Sequence, residues 1–281
     1  MRTVCVDQSM YRSPELAGLV NNPDVRFVVP DAALMEMCKS EEWEATLRRS
    51  LKILSRVPDR VVVAKGNGEC MKEELDQGCS LTLDGLISTE ATIWLRRLLV
   101  EVADRKRGEM FELMAAEIDN ANERARQEHL DHSDNLDTLK ELISTLRSAY
   151  SEEFQKRLRS GLVDEGEYVV VVSHAATMVV DDDSMTLKQG SIDVFIKERS
   201  YVMRWLWLRV QTVTDWLASG GSDQVAAERV TNSDIDRHYL AVGSYCDELL
   251  TKDRNMQVAD RRLRAALAME LSWRAELDNG I

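Results

Sequence analysis

Apolar positions in the first quarter of the chain fall into short runs and helical stripes. Thr3-Val4-Cys5-Val6 is a strand-like run ended by Asp7-Gln8-Ser9, and Phe27-Val28-Val29 is a second, closed by Pro30. Residues 31–39 read as a helix that Asp31 can cap, with Leu34, Met35 and Cys38 on one side. Trp43, Leu47, Leu51, Leu54 and Val57 recur at steps of three and four, one apolar helical stripe that Pro58 closes. Residues 60–64 are a short buried strand and Lys65-Gly66-Asn67-Gly68 a turn. Residues 1–66 thus read strand, loop or helix, strand, helix, helix, strand.

From residue 84 to 165 the pattern is helical and highly charged. Ile93, Trp94, Leu98, Leu99 and Val102 form one stripe, and Leu136 to Leu158 a longer one, with a polar stretch over 119–135 that reads as an exposed helix or a loose connection. Residues 168–172 and 177–180 are β-branched runs, followed by Asp181-Asp182-Asp183. Residues 201–217 read as a tryptophan-rich helix, and Ser219-Gly220-Gly221-Ser222 as a linker. Beyond it, Asp234 and Asp236 open a helical pattern that Gly243 breaks. Leu249-Leu250 is a buried strand, and Thr251-Lys252-Asp253 stands at its end. A closing helix carries Arg261, Arg262 and Arg264 with Leu263, Leu267, Leu271 and Trp273.

A chain of 281 residues, 44% hydrophobic, is long enough for one large unit or two modest ones. Its net charge of −13 and pI near 4.9 argue against a broad basic nucleic-acid surface, though a carboxylate-lined metal site would add to that charge. The 5 cysteines include no CxxC pair, which fits reduced thiols and disfavours a structural zinc site. No signal peptide is visible, and the most apolar long stretch, 201–218, contains Arg204, Arg209 and Asp215, so no membrane span is expected. A cytoplasmic protein is the expectation.

Asp7, Glu36, Asp236 and Asp253 stand at element ends or first turns, and ligands of parallel α/β sheets gather outside the carboxyl ends of strands. The segments VCVDQS, VVPDAALME, DRHYLA and CDELLTKD, in this order, resemble the PIN-domain family of metal-dependent nucleases. The likeness covers roughly residues 1–80 and 225–265, and the last segment is the most specific. It implies an α/β, three-layer PIN-like fold with a central parallel sheet and an acidic pocket binding Mg²⁺ or Mn²⁺. It also implies hydrolysis of single-stranded RNA; many bacterial members are toxins of toxin–antitoxin pairs. The core would run over 1–83 and 219–281, with 84–218 as a mainly helical insertion.

On this resemblance Asp7 and Asp253 take the central metal position, with Glu36 and Asp236 completing the set and Asp234 and Asp247 as further candidates. Two ions about 3.5–4 Å apart can activate water and stabilise both reacting oxygens. Ser9 and Thr251 would orient neighbouring carboxylates. Lys252, Arg254 and Arg261 are candidate phosphate contacts, because Lys and Arg bond phosphate oxygens without reading sequence. The expected partners are an RNA substrate and an antitoxin or other protein held by the helical insertion; a homo-oligomer is compatible. Two alternatives stand beside this endoribonuclease: a catalytically silent PIN-like interaction module and a structure-specific DNA nuclease. Plainer roles are expected elsewhere. Asp181-Asp182-Asp183 suits a loop or cap, and His129, His132 and His238 suit the surface. Trp205, Trp207 and Trp216 suit core packing rather than base stacking.

Overall fold

The computed structural model describes residues 1–38, 41–128, 132–181, 199–220 and 227–269. His129, Asp182, Asp183, Leu271, Trp273 and the end of the 219–222 linker lie outside them. The chain divides into two compact units, Met1–Glu69 with Thr82–Asp134 and His238–Gln257, and Cys70–Leu81 with Asn135–Arg237 and Val258–Ile281.

The first unit is an α/β unit built on five strands: β1 (Arg2–Val6), β2 (Val25–Pro30), β3 (Val61–Ala64), β4 (Ile87–Ser88) and β5 (Glu248–Leu250). Their order is β4-β3-β2-β1-β5. β1 pairs in parallel with β2 and β5, and β2 with β3, in a register that sets Val4 beside Phe27 and Cys5 beside Leu249. Val4, Cys5, Val6, Phe27, Val28, Val29 and Val61 to Ala64 are all buried. Parallel strands covered on both faces read as continuous apolar runs, which is why these runs were legible. β4 runs antiparallel to β3, so the sheet is mixed rather than wholly parallel. The edge strand is only two residues long and follows a short helix, with the Lys65 amide donating to Leu86 O at 2.8 Å.

The helices of this unit start with α1 (Pro14–Val20), α2 (Asp31–Met37) and α3 (Trp43–Leu51). Ser13 caps α1 by accepting from Leu16 N at 3.0 Å. Pro30, not Asp31, holds the N-cap position of α2; Asp31 is its first helical residue, and Met35 is exposed. Next come α4 (Asn67–Gln77), which begins where a turn was expected, α5 (Leu83–Leu86), α6 (Thr89–Asp104) and α7 (Glu109–Glu128). α6 buries Leu95, Leu98, Leu99 and Val102 and leaves Ile93 exposed. Its Thr92 Oγ1 accepts from Val63 N at 2.9 Å, and Arg96 Nε donates to Val61 O at 3.0 Å. The sheet unit therefore reaches past residue 84, where the helical insertion was expected to begin.

The described elements of the second unit are helical: the body of α4, then α8 (His132–Ala149) from Asn135, α9 (Glu152–Arg159), α10 (Glu165–Asp181) and α11 (Tyr201–Ala218). α12 (Ala227–Gly243) as far as Arg237 and α13 (Arg254–Ala268) from Val258 complete it. The β-branched runs at 168–172 and 177–180 are one helix, α10. Tyr168, Val169, Val172, Ala175 and Ala176 are buried at helical spacing. Packing against α11 fixes that face: Trp207 Nε1 donates to Ser173 Oγ at 3.0 Å, and the Tyr168 hydroxyl to Asp215 Oδ1 at 2.7 Å. Such tertiary contacts override the modest β-preference of valine. Glu74 on α4 is fully buried and accepts from the amides of Leu81 and Tyr201 at 2.8 Å and Val202 at 2.9 Å. It thereby satisfies first-turn amides of α11 and places negative charge at that helix's positive end. Among the described residues, no helix is long and apolar enough to cross a membrane.

Candidate functional site

β1 and β5 are neighbours, yet the chain leaves β1 toward β2 on the opposite side. Their carboxyl ends therefore flank a switch in strand order, the place where open α/β sheets hold ligands. Asp7 follows β1 at once and is tied to the β5 end by its amide, which donates to Leu250 O at 3.0 Å. Its side chain is 6% exposed. Oδ2 accepts from Ser9 Oγ at 2.5 Å and from Thr251 Oγ1 at 2.8 Å. Among the described residues no donor meets Oδ1, so the two hydroxyls anchor one oxygen only.

The loop after β5 extends the network. Lys252 N donates to Ser9 Oγ at 3.2 Å, and Asp253 N to Thr251 Oγ1 at 3.1 Å. The exposed Asp253 side chain caps α13, its Oδ1 accepting from Asn255 N at 2.7 Å and Met256 N at 3.1 Å. Lys252 and Arg254 are exposed on either side of it.

α2 leaves the carboxyl end of β2 and carries Glu36, half-buried, whose Oε2 accepts from the Tyr239 hydroxyl at 2.7 Å. Tyr239 lies on the last turns of α12, within the first unit, where its carbonyl is 3.8 Å from the Cys5 thiol of β1. The 3-10 turn Gln8–Met10 packs against α2 and leads into Tyr11. Tyr11 is fully buried, and its hydroxyl has no hydrogen-bond partner among the described residues. Burial pushes this hydroxyl well above its ordinary pKa, and the charges of Cys5, Asp7 and Glu36 push further. Tyr239 is raised too, first by burial, then by Tyr11 and Glu36. Tyr11, Tyr239, Asp7 and Glu36 thus form one electrostatically linked group.

Two more groups occupy the same edge. His238, expected at the surface, is 5% exposed, with Nε2 3.2 Å from Lys65 O just past β3. Burial lowers its pKa to about 4, against the weaker pull of that carbonyl, so the ring is neutral at pH 7. The carboxyl of Asp31, at the end of β2, is raised by burial and then by Glu69.

Asp247 is not brought to Asp7. Asp247 precedes β5 and stands at the opposite, amino-terminal edge of the sheet. There its Oδ2 accepts from Thr3 N at 2.6 Å and Thr3 Oγ1 at 2.8 Å. Asp234 and Asp236 fall in the middle of α12 rather than at its start, because the helix begins earlier, at Ala227. Both belong to the second unit, where Asp236 is exposed and Asp234 pairs with Arg237. Arg237 lies over Trp205, 5.3 Å from the ring centroid, and burial followed by Arg209 lowers its guanidinium to about 9. Arg261 donates to Glu165 Oε1 at 2.8 Å, also in the second unit. Among the described residues, no group of three or more His, Cys, Asp or Glu side chains is arranged to hold a metal ion.

Sequence reasoning passed over Tyr11 and Tyr239 as site residues. The available signal was position: Tyr11 follows Asp7 by one turn, and Tyr239 lies inside the DRHYLA segment, where it counted only as apolar. In comparisons with known proteins, the chain matches no family model, no curated protein and no solved structure.

Proposed function

We propose that this chain is a PIN-like, metal-dependent nuclease that hydrolyses phosphodiester bonds of single-stranded RNA. The observation that carries this reading is Asp7, buried at the β1–β5 switch point, held on one oxygen by Ser9 and Thr251 and open on the other. Glu36 adds a second carboxylate, and it and Asp7 both act electrostatically on Tyr11 and Tyr239. All the donors are oxygens, which suits Mg²⁺ or Mn²⁺, and Mg²⁺ retains several waters, so few protein ligands are needed. Asp7 and Glu36 would hold the ion, and the Asp253 amide joins Asp7 through the Thr251 hydroxyl. Bound there, it would supply Lewis-acid polarisation of a phosphoryl oxygen and a more acidic water. The residues of the chain do the rest. Ser9 and Thr251 fix the aim of Asp7, and Lys252 and Arg254 meet phosphate. With a net charge of −13, affinity for bulk nucleic acid is weak and salt-sensitive.

The test is cleavage of labelled single-stranded RNA and DNA with Mn²⁺, Mg²⁺ or EDTA. Wild type should cut RNA only with metal. Asp7→Asn should lose about 1,000-fold, the several kcal/mol that a polarising ion contributes. Activity that survives EDTA, or equal activity in the variant, refutes the nuclease.

A catalytically silent interaction module is the second reading. It is favoured by the capping role of the Asp253 carboxylate. Metal-dependent stabilisation separates the two, because a retained site is stabilised by Mn²⁺ according to its affinity.

A further inference from the structure

We propose that Tyr11 and Tyr239 are positioning residues of the Asp7–Glu36 site: Tyr239 fixes the aim of Glu36, and the Tyr11 hydroxyl serves a water of a hydrated divalent cation. The inference rests on the reading that these carboxylates bind such a cation. It starts from an imbalance between two buried tyrosines. The Tyr239 hydroxyl donates to Glu36 Oε2 at 2.7 Å, while Tyr11, as deeply buried, has no partner for its hydroxyl among the described residues. Folded proteins pair nearly all buried polar groups, so an orphan beside two carboxylates marks a place where something else binds. The missing partner is small, since a fully buried hydroxyl meets water more readily than a nucleotide.

The chemistry fits a cation's water shell. Waters on Mg²⁺ or Mn²⁺ are strong donors and need acceptors around them. Asp7 Oδ1 is one acceptor, and the phenol oxygen of Tyr11 is another. Tyr239 acts through Glu36: its bond removes rotational freedom from a half-buried carboxylate before any ion arrives.

The experiment is a Mn²⁺ titration of the full chain, with free ion counted by electron paramagnetic resonance and the metal-free melting temperature measured in parallel. Wild type, Asp7→Asn, Tyr11→Phe and Tyr239→Phe are compared. Asp7→Asn should lose binding. Each phenylalanine variant should bind Mn²⁺ about tenfold more weakly, the usual scale for groups that orient metal ligands. Tyr11→Phe should at the same time melt at a higher temperature without metal, because it removes a buried hydroxyl that lacks a partner. A merely structural tyrosine would not separate these readouts. Wild-type affinity in both variants overturns the tyrosine proposal and leaves the site reading standing. Failure of the wild type to take up Mn²⁺ overturns both. If Tyr11→Phe does not fold, Tyr239→Phe decides, and wild-type affinity there again refutes the proposal.

Discussion

Asp7 in the first unit and Glu74 in the second are both buried carboxylates, 6% and 0% exposed. Glu74 has each oxygen engaged by main-chain amides: Leu81 and Tyr201 on Oε1, and Val202 on Oε2. Those donors belong to the fold itself, and the carboxylate is an internal strut between α4 and the start of α11. Asp7 has side-chain hydroxyls as partners, both on one oxygen. Hydroxyls orient a carboxylate while leaving half of it open, and the unpartnered Tyr11 stands nearby. What separates Glu74 from Asp7 is which atoms satisfy each carboxylate rather than how deeply it is buried.

The comparison breaks first at Glu74. Glu74→Ala would leave three buried amides unpaired and should cost on the order of 3 kcal/mol, read from urea unfolding. A loss as small as that of a surface substitution would erase the distinction. Of similar size is the pH response of His238 at the site edge. Its folded pKa of about 4 lies below its ordinary 6.5. The unfolded chain therefore binds the proton more readily between these values, and stability falls as pH drops from 6.5 toward 4, by up to about 3 kcal/mol. His238→Gln should flatten that slope, checked by denaturant midpoints at pH 7.5 and pH 5. Smaller is Thr251→Val, which removes one of the two hydroxyls on Asp7. Mn²⁺ affinity should fall about tenfold while the fold is retained, measured by titration against wild type. An unchanged affinity would mean that Ser9 alone suffices to hold Asp7.

The parallel strands of the first unit were legible because they are buried apolar runs with acids at their ends. Asp7, Glu36 and Thr251 could be picked out by where those runs stop. Asp247 shows the limit of that logic. It adjoins a strand as closely as Asp7 does, but at the amino end, and only the direction of pairing tells the two edges apart. β4 escaped notice because a two-residue strand has no period to detect. α10 was obscured by valines that favour strands in isolation and by the absence of any local sign of the α11 face that buries them. The role of Tyr11 was hidden for a different reason. A phenol is apolar by composition and polar at one atom, and its value depends on whether that atom finds a partner.

The pairing of β1 with β5 also fixes a schedule. Asp7 and Thr251 are 244 positions apart, so β1 cannot gain its second neighbour until nearly all of the residues described here have been made. At roughly 5–20 residues per second, the free edge of β1 waits on the order of ten seconds or more during synthesis. Throughout that interval Asp7 lacks its threonine partner. The carboxylate site is the last part of the sheet to be assembled, and a chain stopped short of β5 would present an apolar strand edge open to other chains.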